Sequence, residues 1–100
     1  MREASYARRM PTERLFLVER YVPELEGGRL AELGRRLAAA TEAMRGEGCD
    51  VEWVQSVALP GDEACLCLFR AADEAAVAEA NRRAEAEFDR ICPAFVAREL

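Results

Sequence analysis

The chain contains no histidine and no lysine. Without histidine it lacks the commonest biological metal ligand and the commonest general base near neutral pH. The acids and bases left for catalysis are carboxylates, cysteines, tyrosines and arginines. All 14 basic residues are arginine and are outnumbered by 19 acidic ones, for a formal charge of −5 and a pI near 4.8. That balance argues against a non-specific nucleic-acid binder, which needs a basic face for phosphates. No apolar run approaches the ~20 residues that span a bilayer, so no membrane partner is expected. The N-terminus has arginines but no apolar stretch of signal-peptide type. The expected compartment is therefore the cytoplasm, where the four cysteines are expected as thiols. There is no glycine-rich phosphate loop, no nucleophile elbow and no Cys-x-x-Cys knuckle.

What is present is enough for one domain. A chain of 100 residues is long enough for one hydrophobic core, with little margin. Residues 1–12 are polar and aperiodic and read as a mobile extension; residues 13–100 read as the domain. The organising stretch is Arg14–Val22, a strand apolar on both faces. Phe16, Val18, Arg20 and Val22 alternate with Leu15, Leu17, Glu19 and Tyr21. One face can pack on helices. The other needs a second cover, and a homodimer is the expected way to supply it.

Pro23 to Gly28 reads as a loop. Leu30, Leu33, Leu37, Ala40 and Met44 then recur at helical spacing, which predicts a helix over about 29–45, ended by Gly46 and Gly48. Val51–Ala58 reads as a second strand, with Val51, Trp53, Gln55 and Val57 on one side. A turn over residues 59–63 leads to a third strand at Ala64–Arg70, with Cys65, Cys67 and Phe69 on one face. Asp73 is the expected N-cap of a second helix striped by Val77, Ala80, Ala84, Phe88 and Ile91, stopped by Pro93. Ala94–Glu99 reads as a last edge strand. The order β-α-β-β-α-β predicts an α+β fold, the ferredoxin-like sandwich, with both helices on one sheet face.

Five residues are candidates for a ligand site. Glu19 and Tyr21 lie on the strand face left open by the helices. A carboxylate enclosed there would have a raised pKa; its plainer role is an ion pair with an arginine or simple exposure. Trp53, the single tryptophan, lines a ligand pocket or belongs to the core or an interface, core or interface being the favoured reading. Gln55 and Cys67 complete the set. Cys65 and Cys67 share a strand face, but four scattered thiols do not make a zinc or redox motif, so buried filler is the favoured reading. No metal or cofactor is expected. Asn81, Arg82 and Arg83 form either an anion clamp or a solvated helix face with Glu79 paired to Arg83.

Several stretches, in this order, resemble a known bacterial family. They are Phe16-Leu17-Val18-Glu19-Arg20 with Val22-Pro23, then Glu52-Trp53-Val54-Gln55-Ser56. Cys67 follows, ahead of Ala71-Ala72-Asp73-Glu74, and then Arg82-Arg83-Ala84. The chain is similar, from about Pro11 onward, to short proteins of unknown function that include an actinobacterial nickel-responsive protein. The resemblance implies a ferredoxin-like fold that pairs as a dimeric α+β barrel. Glu19, Trp53, Gln55 and Cys67 match the family pattern without a role attached. Members often carry a histidine before the paired arginines. Here Glu79-Ala80-Asn81 stands in its place, so a histidine-based nickel site does not carry over. The leading expectation is a homodimer binding a small ligand between sheet faces. A cofactor-free enzyme using a carboxylate for proton transfer and a purely structural partner protein remain alternatives.

Overall fold

A computed structural model describes residues 14–97. The elements run β1 (Leu15–Tyr21), α1 (Gly27–Gly46), β2 (Val51–Leu59), a single 3-10 turn (Pro60–Asp62), β3 (Ala64–Ala71), α2 (Glu74–Arg83) and β4 (Arg90–Ala94). The sheet order is β2-β3-β1-β4, and every neighbouring pair is antiparallel. This is the expected ferredoxin-like α+β fold. The extension expected at residues 1–12 lies outside the described residues. Among the described residues no helix is long and apolar enough to cross a membrane.

The core lies between the sheet and the two helices. Phe16 and Val18 of β1 and Cys65, Cys67 and Phe69 of β3 point into it. Leu33, Leu37, Ala40 and Met44 of α1 and Val77 and Ala80 of α2 meet them there. The periods of two and 3.6 in the sequence thus converge on one core.

The helix ends explain the lengths. Asp73 caps α2 as expected, its side chain accepting from the Ala76 amide at 2.9 Å, a bond of the kind that contributes about 1 kcal/mol. Helix α1 ends in a Schellman turn. Gly48, at φ 91°, donates to the Arg45 carbonyl, and Cys49 donates to that of Met44. Helix α2 ends the same way. Glu85, at φ 54°, donates to Arg82 O and Ala86 donates to Asn81 O.

Three expectations are corrected. The second helix does not run on to Ile91. It stops at Arg83, because a Schellman turn with glutamate in glycine's usual place ends it. Arg90–Ala94 then pairs with β1, with Ile91 beside Val18 and Pro93 beside Phe16. The last strand is thus this segment, with Pro93 inside it on a sheet edge, and Phe95 to Ala97 lie beyond it. The faces of β2 also differ from simple alternation. Trp53 pairs with Phe69 but Gln55 pairs with Leu68, so Val54 bulges out of the ladder. After the bulge the phase inverts. Val51, Trp53, Ser56 and Ala58 lie opposite the inward-facing residues of β3, and Gln55, Val57 and Leu59 lie on the open face.

Candidate functional site

The open sheet face has an apolar centre and charged ends. Leu15, Leu17, Leu66 and Leu68 form its middle, flanked by Val57 and Leu59 of β2 and Cys92 of β4. Glu52 pairs with Arg70 at one end. Toward the other, Arg90 donates to Glu19 at 2.9 Å. Arg90 holds the Glu19 carboxyl below its ordinary range. The ion pair is thus the arrangement found within the chain, and Glu19 is a carboxylate at neutral pH. Gln55 shares this face, two strands away from Glu19.

Tyr21 ends the same row and is exposed. Its hydroxyl donates to Glu63 at 3.0 Å, and the other Glu63 oxygen accepts the Glu24 amide at 2.8 Å. Glu63 raises the Tyr21 pKa through that bond, so the phenol keeps its proton. The contact ties the end of β1 to the start of β3.

Trp53 and Cys67 lie on the other side of the sheet. The indole N–H donates to Ser56 Oγ at 3.0 Å, and Ser56 Oγ donates to Cys67 Sγ at 2.9 Å. Cys67 Sγ lies 3.8 Å from Cys65 Sγ. Both thiols are fully buried. Desolvation, reinforced by Cys67, pushes the Cys65 thiol up to about 11, so it carries a proton at neutral pH and is a poor nucleophile. The indole crosses α1 at Gly34, where an added Cβ would stand 3.0 Å from the ring. A small residue there lets helix and ring approach. The five sequence candidates therefore divide between two faces of the sheet, and only Trp53 and Cys67 are joined, through Ser56.

The anion clamp is also taken apart. Arg82 and Arg83 both donate to Glu79, and Arg83 makes two further bonds to Glu47. The paired arginines, Arg82 foremost, hold Glu79 down to about 2. Asn81 turns inward and is fully buried. It donates to Val77 O at 2.8 Å and accepts from Arg20 at 2.6 Å.

That arginine is the residue whose importance was not seen in the sequence. Arg20 follows Phe16 and Val18 on the inward face and is only 4% exposed. Its guanidinium donates to Asn81 Oδ1 and to the Ala86 and Glu87 carbonyls at 3.1 and 3.0 Å. Its Nε is buried without an acceptor among the described residues. Arg20 also lines a cleft of about 560 Å³ between the end of β1, the start of α1 and the turn after α2. The visible signal was a charge at an inward position of an apolar alternation.

This small ferredoxin-like α+β architecture is shared with a solved protein. The chain superposes on the crystal structure of SCO4226 from Streptomyces coelicolor A3(2) with a TM-score of 0.72 at 18% identity. The match covers 84% of this chain and 99% of that one. Residues 16–93 match the family described as nickel responsive protein SCO4226-like, and the chain belongs to that family. Among curated proteins none matches this sequence.

Proposed function

We propose that the protein is a homodimeric small-ligand-binding module in which two copies close their open sheet faces on each other. One observation carries this reading: the apolar row Leu15, Leu17, Leu66 and Leu68, continued by the exposed Val57 and Leu59, is covered by no helix or strand among the described residues. Contiguous apolar surface across three strands is the kind of patch that marks an interaction site. Burying it stabilises association by roughly 25 cal/mol per Å² before the entropic cost of pairing. The ion pairs Glu19–Arg90 and Glu52–Arg70 stand at the ends of this face, where they favour one orientation of the partner. Glu19, Gln55 and Tyr21 supply polar contacts for a ligand held between the sheets. The enzymatic alternative is the weaker one, because Arg90 stabilises the Glu19 carboxylate and so disfavours it as a proton donor.

The family name speaks of a response to nickel. The donors of this chain do not fit such a site. The sequence has no histidine, and no three Cys, Asp or Glu side chains among the described residues gather for a metal. Cys65 and Cys67 are buried on the helix side, and Cys65 holds its proton tightly. The function proposed here therefore uses no metal. Native mass spectrometry of the protein mixed with a metabolite extract tests it. A dimer carrying a small-molecule adduct is expected, and a bare monomer contradicts it.

A further inference from the structure

We propose that the cleft at the end of β1 binds the carboxylate group of a small organic acid. This site lies on the helix side of the sheet interface proposed above, with Tyr21 alone bordering both, and neither its argument nor its test depends on a dimer.

The first observation is the Arg20 guanidinium. It is almost fully buried, and every acceptor it meets is neutral: an amide oxygen and two backbone carbonyls. No carboxylate of the described residues forms an ion pair with it. Buried charges are ordinarily paired. The Nε–H is left without an acceptor as well. Water would not balance that charge; an anion in the cleft that Arg20 lines would.

The second observation is independent of Arg20. Helix α1 begins against the same cleft with Gly28 and Arg29 in its wall. Its N-cap, Glu26, makes no side-chain cap bond, and its first turn carries no acid. The first intrahelical bond is from the Leu30 amide to Glu26 O. The preceding amides at Gly27, Gly28 and Arg29 have no intrahelical acceptor, and they form the positive end of a 20-residue helix. Such an end favours an anion. Arg29 makes no ion pair among the described residues, and Arg36, donating to Ala84 O at 2.8 Å, sits in the same wall.

The remaining lining selects the class of anion. Glu32, Glu85 and Glu87 face the same cleft. Glu32 is engaged with Arg35 and Arg36, whereas Glu85 and Glu87 leave negative charge at the rim. They oppose a doubly charged phosphate more than a singly charged carboxylate. Val22 and Leu33 add an apolar wall for the body of the acid.

The test is an NMR titration of the ¹⁵N-labelled protein with sodium butyrate, following the Arg20 Nε–H and the Gly28 and Arg29 amides. Sodium chloride at equal ionic strength and inorganic phosphate are run alongside. Saturable shifts at all three positions with butyrate, absent with chloride, are expected. Arg29→Gln, an exposed change, should weaken binding about two- to fivefold. In Gly28→Asp the new side chain has open space and places a carboxylate at the helix start, so the butyrate shifts should vanish. No saturable shift, equal shifts with chloride, or butyrate binding undiminished in Gly28→Asp would each overturn the site. Phosphate binding more tightly than butyrate would overturn the assignment to carboxylates.

Discussion

Arg20 donates to the side-chain oxygen of Asn81 over 2.6 Å, joining the inward face of β1 to the last turn of α2. Two fully or nearly buried polar groups satisfy each other there, and the neighbouring carbonyls of Ala86 and Glu87 complete the set. The contact fixes where helix gives way to turn. Asn81→Ala would leave a buried guanidinium short of an acceptor and the Val77 carbonyl without its extra donor. A loss of about 1–3 kcal/mol is expected, measured by urea denaturation. A loss within error of zero would show that the guanidinium relaxes to solvent instead.

Glu85 and Glu63 share a left-handed backbone, at φ 54° and 50°, yet glycine should act differently at the two. The side chain of Glu85 makes no bond among the described residues and places negative charge at a helix C-terminus, where the dipole disfavours it. Glu85→Gly relieves the strain and should stabilise by roughly 0.5–1 kcal/mol. Glu63 holds Tyr21 and the Glu24 amide, so Glu63→Gly should give no gain. Paired thermal melts check the contrast; equal effects would mean that the side-chain bonds of Glu63 contribute nothing.

The same residue explains where sequence reasoning stopped. The end of α1 was legible because Gly48 marks its Schellman turn. The end of α2 was not, because glutamate occupies the equivalent position and Phe88 and Ile91 continue the helical spacing. The β2 bulge was hidden for a different reason. That strand is apolar on both sides, so the pattern reads alike in either phase, and only the pairing across β3 separates Trp53 from Gln55. The fold itself was readable because α1 has a clear inward stripe and the strand segments alternate with the helices in the order β-α-β-β-α-β. The cleft around Arg20 was not, since its walls come from three stretches far apart in sequence.

Acid should weaken the fold through its ion pairs. Glu79 titrates at about 2 in the folded protein against an ordinary 4.5, held by Arg82 and Arg83. Glu19, Glu32 and Glu47 are lowered too, chiefly by Arg90, Arg35 and Arg83 respectively. A carboxyl with a depressed folded pKa binds protons more readily when unfolded. Its stabilisation is present above the unfolded pKa and is lost as pH falls through the folded one. The melting temperature should therefore drop between about pH 5 and about pH 2, and Glu79→Gln should shallow the drop. An unchanged slope in that variant would place the effect elsewhere.

The thiols offer a readout of burial. Cys65 and Cys67 are fully buried, and Cys65 is held protonated, whereas Cys49 and Cys92 are half-buried. Iodoacetamide at neutral pH should label Cys49 readily and leave Cys65 and Cys67 unmodified until denaturant is added. Cys92 lies beside Leu17 on the open sheet face, so a dimer should protect it too. Rapid labelling of Cys92, as fast as Cys49, would speak against that cover.

The most direct measurement is the mass in solution. Light scattering on the purified protein at micromolar concentration should give about twice the chain mass of 11.1 kDa. Leu17→Arg, which puts a charge in the middle of the apolar row, should move the mass toward that of one chain. A wild-type mass of 11.1 kDa would contradict the closing of two sheet faces on which the proposed function rests.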